Sequence, residues 1–333
     1  MTLSLLERYL TPLLSLLLLL ATLISLLTGS EAFPLLQALR ESLDETPGVG
    51  GLILTELRLP RTGVALVAGA SLGLCGALMQ SLLRNPLASP GLIGSANGAA
   101  LGAVVCLYFG LAGAAGFILP LGGMFGALLA TFIVYLLAGR ESGSLTLILA
   151  GVAVNSLVLA LISLLLNLAP SPYAAQEIAL WMLGSLANLS RNEFWLLLPG
   201  SLLGWLLVWR QGRSLDLLSF GEETALSMGV DLAALRWRLF LVVALAVGSA
   251  VSITGAIGFI GLVVPHLIRP LVGHQPSRLL LPSALGGALL LLAADIVVRL
   301  LPAQTEIKVG VVTAMVGAPF FVWLIVQNRG RGI

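Results

Sequence analysis

The stretch from Gly255 to Gly273 decides the fold, and it reads Gly255-Ala-Ile-Gly-Phe-Ile-Gly-Leu-Val-Val-Pro265-His266-Leu-Ile-Arg-Pro-Leu-Val-Gly273. It is apolar, but glycine and proline interrupt it. A copy lies earlier in the chain: when residues 64–94 are laid on residues 243–273 without gaps, 10 of 31 positions are identical. A duplicated membrane unit with interrupted hydrophobic segments is typical of transporters. Chance similarity in a chain rich in leucine, alanine and glycine is the alternative.

Composition supports a membrane protein. The 333 residues are 58% hydrophobic and 10% charged, whereas a soluble domain carries about 25% charged residues. Apolar runs of about 20 residues recur along the whole length, which excludes a soluble enzyme with one anchor. The formal net charge of +2 is too small to indicate nucleic-acid binding. We expect the first run, residues 13–27, to be a retained span rather than a cleaved signal peptide.

The pattern predicts an all-α polytopic membrane protein with about ten transmembrane helices in a single domain, residues 1–333. Polar joints separate the spans, and the longest are residues 29–61, 170–192 and 211–235. The eighth span is short and contains proline, so it need not be a regular helix. The predicted spans are 12–28, 62–83, 91–110, 116–138, 144–168, 193–210, 236–256, 258–273, 279–300 and 308–327.

Basic residues predict the orientation, because cytoplasmic loops retain Lys and Arg. With the N-terminus inside, 11 of the 17 basic residues fall on the cytoplasmic side, and ten spans then put both termini in the cytoplasm. The two copies begin on spans two and seven, an odd number apart, so they run in opposite directions. This predicts an inverted repeat of spans 2–5 and 7–10, in halves of about 57–170 and 236–328.

Glycines four residues apart predict close helix packing, because small residues let helix backbones approach in lipid. Three such pairs lie within spans: Gly69 with Gly73, Gly98 with Gly102, and Gly122 with Gly126.

Asp295 is the one acid deep inside a span, where an unpaired charge costs at least a few kcal/mol. Arg299 is one helical turn further on and can pair with it. We expect structural pairing, and a proton relay is the alternative. His266 and His274 stand without clustered acids or cysteines, so we expect packing or capping histidines and no metal site.

The joint 214–231 differs from the others and is predicted to be cytoplasmic. Ser219, Glu222 and Glu223 are placed to begin a short helix, with acids in its first turn, and Gly229 can end it. Such a helix could lie on the membrane surface or dock a cytoplasmic partner. No nucleotide-binding Gly-x-x-x-x-Gly-Lys loop occurs, since the only lysine is Lys308. If ATP drives this protein, the ATPase is a separate subunit.

A series of landmarks along nearly the whole chain resembles one family, the permease subunits of bacterial ATP-driven importers for iron-siderophores, heme and cobalamin. Singly they are weak, but in this order and spacing they are specific. They are Arg58-Leu-Pro-Arg61, Gly69-Ala to Gly76-Ala-Leu-Met-Gln80, Asn85-Pro-Leu-Ala-Ser-Pro90, Leu149-Ala-Gly151, Trp181-Met-Leu-Gly184, Gly221-Glu222, Gly258 to Pro265-His266, Ala294-Asp295 to Arg299, and Gly310 to Gly317-Ala-Pro-Phe320.

The resemblance implies the partners and the location. They are a second permease copy (or, alternatively, a similar sister permease), two cytoplasmic ATPase subunits, and a periplasmic or extracellular substrate-binding protein, with no nucleic acid. The chain would lie in the bacterial cytoplasmic (inner) membrane. It would bind no cofactor itself, because ATP and magnesium belong to the ATPase, and it would not be an enzyme.

The resemblance also assigns residues. It implies ATPase coupling by the 214–231 loop, an outer docking surface, a cytoplasmic gate, and a set of structural positions. The coupling residues are Ser219, Gly221, Glu222, Glu223, Ala225 and Gly229, and the docking residues are Arg58, Arg61 and Arg299. The gate residues are Asn85, Leu87 and Ser144, and the structural residues are Pro86, Gly255, Pro265, His266 and Asp295.

The substrate is expected to be a metal chelate moved by alternating access, with an iron-siderophore first and heme or cobalamin as alternatives. One departure from the family is Glu306-Ile-Lys308 in place of Glu-Leu-Pro, which adds a cation at the outer mouth. The competing function is a secondary transporter that is driven by protons through Asp295. An intramembrane enzyme is a further alternative, but no catalytic set converges.

Overall fold

The structure is a computed structural model that describes residues 2–29, 35–43, 48–113, 115–139, 143–302 and 306–329. Regular structure in these ranges is helical, without a β-strand. The α-helices are α1 (Thr2–Leu27), α2 (Leu35–Glu41), α3 (Val49–Leu52), α4 (Leu59–Leu82), α5 (Ser95–Tyr108), α6 (Ile118–Ala138), α7 (Ser144–Asn167), α8 (Pro172–Met182), α9 (Arg191–Val208), α10 (Gly212–Leu218), α11 (Glu222–Ser227), α12 (Leu232–Thr254), α13 (Ile260–Ile268), α14 (Pro276–Leu300) and α15 (Val309–Arg329).

Every predicted span contains a helix, so the predicted all-α membrane fold is confirmed. Six helices of the described ranges are long and apolar enough to cross a membrane: α1, the continuous helix Val49–Leu82, α6, α7, α12 and α14. A π-helical turn at Ile53–Arg58 joins α3 to α4 within that continuous helix. Shorter apolar helices occupy spans three, eight and ten. Span eight is irregular as predicted, because α13 has nine residues and continues as a 3-10 turn, Arg269–Val272.

Helices α4 and α12 form the centre of the bundle. In the most apolar window of each, 78% of residues are buried, against 17% in α1. Glycine permits the closest crossings: a Cβ added at Gly69 would lie 2.6 Å from the Gly287 carbonyl oxygen of α14, and one at Gly98 would lie 2.5 Å from the Gly126 carbonyl oxygen of α6. The predicted close packing at these glycines is confirmed.

The helix contacts repeat with inverted symmetry. On α4, Gly69 and Gly73 face α14, while Gly248 and Ser252 of α12, each 179 residues later, face α6. The pairings α5 with α6 and α5 with α7 recur as α13 with α14 and α13 with α15. The N-terminal part of α4 lies beside the C-terminal end of α14, whereas the N-terminus of α12 lies beside α11 at the opposite end. The two halves therefore run in opposite directions.

The ungapped alignment of the two copies is wrong beyond Gly76. Helix α4 continues to Leu82, whereas α12 ends at Thr254 and turns at Gly255, where φ is +71°. Spans three and eight both start behind a left-handed residue, Gly94 or Phe259. These two residues are 165 positions apart (259 − 94), not 179, because the second copy has a shorter connection. The alignment therefore paired Pro86, which lies in the turn after α4, with Pro265, which lies inside α13, so these two prolines are not equivalent positions.

Candidate functional site

The first polar cluster lies where α1 and α14 end and α4 begins, and it is centred on Asp295. This carboxylate is completely buried. Arg61 donates to it from Nη2 at 2.7 Å and from Nε at 3.0 Å, and Arg299 pairs with its other oxygen at 2.7 Å. The expected pairing of Asp295 with Arg299 is confirmed. Two guanidiniums hold both carboxylate oxygens, which is the arrangement of a structural ion pair.

Arg299 and a third arginine, Arg58, donate hydrogen bonds at the end of α1, because the last carbonyls of a helix have no partner within the helix. Arg299 Nη1 donates to the Ser25 and Thr28 carbonyls at 2.9 and 3.1 Å. Arg58 Nη1 donates to the Leu26 carbonyl at 2.8 Å. Cations are favourable at a helix C-terminus, because the helix dipole is negative there. The cluster therefore ties α1 to α4 and α14.

Glu306, three residues before α15, is the second acid of this cluster. It forms an ion pair with Arg61, and about a third of its side chain is exposed. Arg58, Arg61, Arg299 and Glu306 line a cavity of about 390 Å³. With three cations and two carboxylates, the cluster has one excess positive charge.

The three arginines predicted for docking are therefore together at one end, but they are less exposed than an open docking surface implies. Arg58 is 5% exposed, and the Arg299 and Arg61 side chains are 8% and 14% exposed. An exposed ion pair, Arg191 with Glu56 at 3.1 Å, lies near the start of the same long helix. Pairing of Arg61 with Asp295 across 234 residues has no local sequence signal, and our sequence analysis missed it.

The second cluster lies at the opposite end, around the 214–231 loop. The loop includes most of the short helix α10 and all of the short helix α11, with Gly221 between them at φ +122°. Gly229 ends α11 as predicted: its N–H donates to the Leu226 carbonyl, and the Val230 N–H donates to the Ala225 carbonyl, which is a Schellman motif. The expected start at Ser219 is wrong, because its hydroxyl donates to the Asp216 carbonyl at the end of α10.

Side chains fix this loop to three membrane helices. Glu222 forms an ion pair with Arg236 of α12 at 2.9 Å and accepts a long hydrogen bond of 3.4 Å from Ser144 Oγ at the start of α7. Asp216 accepts hydrogen bonds from Gln275 and from the Ser277 N–H of α14. A displacement of the loop would therefore act directly on α7, α12 and α14.

The side of this loop that faces away from the helix bundle is apolar and exposed. Phe220, Leu226 and Met228 are 73%, 56% and 61% exposed. Glu223 is also exposed, whereas Ala225 is buried against the bundle. Three large apolar side chains around one short helix indicate a contact surface for a partner.

The predicted gate residues divide into two places. Asn85 Oδ1 accepts from the Leu87 N–H at 2.9 Å in the turn after α4, and Leu87 is 37% exposed. Ser144 instead contacts the loop helix through Glu222. Within the described residues, no hydrogen bond or ion pair joins the Asn85 turn to Ser144.

The predicted structural residues are at tight contacts. Gly255 turns beside Trp181 and Gly184, and a side chain there would meet the Trp181 carbonyl. His266 packs edge-on against Phe320, with ring centroids 6.0 Å apart. This is the expected packing role. In the described part of the chain, no group of three His, Cys, Asp or Glu could hold a metal ion.

Helices α1 and α7 are both poorly covered, and both expose large leucines, such as Leu149 and Leu157 of α7, but α7 also exposes a line of small residues. α1 exposes large leucines, including Leu13, Leu16 and Leu20, as expected beside lipid tails. α7 exposes a line of small residues at helical spacing, Ala153, Ser156, Ala160 and Ser163. Small residues line helix–helix interfaces in membranes.

Comparison with known proteins gives one consistent family. The chain matches the FecCD transport family over residues 17–327. It is 42% identical to the vitamin B12 import system permease protein BtuC of Klebsiella pneumoniae, over 96% of this chain and 94% of that one. It is 40% identical to BtuC of Salmonella typhimurium, over 95% and 94%. A solved structure described as an inward-facing metal-chelate type ABC transporter superposes with a TM-score of 0.85, at 32% identity, over 95% of this chain and 98% of that one.

Proposed function

The chain belongs to the FecCD transport family, and from this premise we propose that it carries cobalamin into the cell. It is the multi-pass membrane permease of an ABC importer for a metal chelate or vitamin B12, a transport subunit and not an enzyme. The expected iron-siderophore is not what the relatives are named for. Identity of 42% over 96% of the chain to a vitamin B12 permease is the observation that supports cobalamin.

A competition assay in proteoliposomes tests the substrate. The permease is reconstituted with its ATPase and binding protein, and ATP-dependent uptake of radiolabelled cyanocobalamin is measured against excess ferric siderophore or heme. We expect saturable cobalamin uptake that neither competitor reduces. Uptake of ferric siderophore with no cobalamin uptake would refute the assignment.

Coupling to ATP hydrolysis is proposed to pass through the 214–231 loop. Phe220, Leu226 and Met228 would enter a groove of the cytoplasmic ATPase, since exposed apolar side chains on one short helix suit a partner's pocket. Glu222 would transmit the movement to α12 and α7 through Arg236 and Ser144. This proposal puts the loop, and with it both chain termini, on the cytoplasmic side of a bacterial inner membrane.

Docking of the binding protein is proposed at the opposite end, in the arginine-lined cavity. Its excess positive charge would attract a carboxylate of the partner, which guanidinium can bind through two hydrogen bonds. Arg61 is the most exposed of the three and would make the first contact. Arg61→Gln should weaken binding and its salt dependence; because Arg61 also pairs with the buried Asp295, binding is measured on folded transporter that has been purified into nanodiscs. Normal binding by that variant would refute the proposal.

A second copy of the permease is proposed to pack on α7. The small-residue face Ala153, Ser156, Ala160 and Ser163 allows two helices to approach closely, and Asn85, Leu87 and Ser144 would then gate a path between the copies. Ala160→Trp should reduce the dimer fraction, measured by subunit photobleaching in nanodiscs. Leu16→Trp on the leucine face of α1 is the matched control and should leave the dimer intact.

A further inference from the structure

Glu306 occupies a position where an incoming carboxylate would bind. Arg61 presents two hydrogen-bonding edges: Nε and Nη2 face Asp295, while Nη1 and Nη2 face Glu306. The Asp295 side is buried and also serves Arg299. The Glu306 side is outward, because a third of the Glu306 side chain is exposed. A partner's carboxylate can reach Arg61 only on the edge that Glu306 already fills.

Of the two carboxylates in this cluster, Glu306 can separate from Arg61 more easily than Asp295 can. It lies in the non-helical segment Glu306–Lys308, whereas Asp295 is inside α14. The carboxylate of Glu306 is partly exposed and would be solvated by water after release, so its exchange for another carboxylate costs little. Asp295 is held by two buried pairs, and breaking a buried pair is several times more costly.

Release of Glu306 would free the start of α15. Only two residues separate Glu306 from Val309, where α15 begins. The Gly310 N–H donates to the Gly184 carbonyl at 3.2 Å, so the first turn of α15 rests on the connection after α8. The ion pair of Glu306 with Arg61 thus provides a second attachment, which holds the start of α15 to α4.

We propose that Glu306 is an internal substitute for the partner's carboxylate, and that docking exchanges one for the other at Arg61 and detaches the outer end of α15 from α4. The inference rests on the docking role proposed for Arg61. It goes beyond that role by making Glu306 a competitor for Arg61, so that in undocked permease the start of α15 stays attached to α4.

Binding measurements with two matched variants test the exchange. Glu306→Gln removes the competing carboxylate, and Glu56→Gln removes another outer-end carboxylate that pairs with an exposed arginine, Arg191. Both raise the net charge by one, so Glu56→Gln controls for long-range attraction of an acidic partner. The probe is the purified binding protein loaded with cyanocobalamin, titrated onto the complete transporter in nanodiscs.

We expect Glu306→Gln to bind the partner about 2- to 5-fold more tightly than the Glu56→Gln control, the range that loss of a partly exposed ion pair allows. Equal affinity of the two variants, or weaker binding by Glu306→Gln, would overturn the exchange. Arg61→Gln distinguishes a failure of the proposed docking at Arg61 from a failure of the proposed carboxylate exchange. If it binds normally, docking at Arg61 is wrong; if it binds weakly while Glu306→Gln does not bind more tightly, docking stands and the exchange fails.

A distance measurement tests the movement of α15. Spin labels at Ile307 and at Leu52, on the continuous helix that contains α4, are 37% and 46% exposed and should report a longer or broader distance when the binding protein docks. Glu306→Gln should produce part of that change without the binding protein. A distance that neither docking nor Glu306→Gln alters would refute the detachment.

Discussion

Replacement of Asp295 by asparagine should destabilise the protein strongly, because it removes the buried carboxylate that Arg61 and Arg299 share. Breaking a buried ion pair from one side costs about 3 to 5 kcal/mol. Arg61 keeps Glu306, and Arg299 keeps its acceptors on α1, including Ser25 Oγ at 2.5 Å. Because both arginines keep these partners, we expect the unfolding free energy to fall by about 3 kcal/mol, the lower limit of that range.

The assay is reversible unfolding by SDS titration in mixed micelles, with Glu56→Gln as the matched control. That change breaks the Arg191–Glu56 pair, in which both side chains are about half exposed, and should cost about 1 kcal/mol or less. Equal losses for the two variants would refute the structural role of Asp295. Unchanged stability of Asp295→Asn together with loss of pH-dependent uptake would instead favour the proton relay.

Three further predictions concern coupling, the gate and helix packing. Gly221→Val should abolish substrate-stimulated ATP hydrolysis while the protein still inserts, because φ of +122° excludes a β-branched residue; normal stimulation would count against the loop as the coupling element. Cysteines at Asn85 and Ser144 should change in crosslinking across two copies when nucleotide is added, and crosslinking that ignores nucleotide indicates a static loop. Gly73→Leu should cost several kcal/mol in the same SDS titration, since its side chain would enter the Ser283 backbone of α14; a loss below 1 kcal/mol would show that the crossing can open.

Sequence patterns predicted the spans well, because hydrophobic length and glycine spacing are local properties. They predicted the end of α11 at Gly229 for the same reason. The Arg61–Asp295 pair and the burial of Arg58 depend on which helices meet, and no local spacing encodes that. The ungapped repeat alignment was wrong after Gly76, because a shortened connection is hard to detect in a chain made mostly of leucine, alanine, glycine and valine.

Energy coupling is the central claim, and uptake driven by one energy source at a time tests it most directly. Proteoliposomes that contain the permease with its ATPase, and the binding protein on the substrate side, are supplied either with ATP and magnesium or with a proton gradient. We predict cyanocobalamin uptake only with ATP, and its loss when the ATPase or the binding protein is omitted. Uptake that a proton gradient drives through the permease alone, without ATPase, would contradict the account.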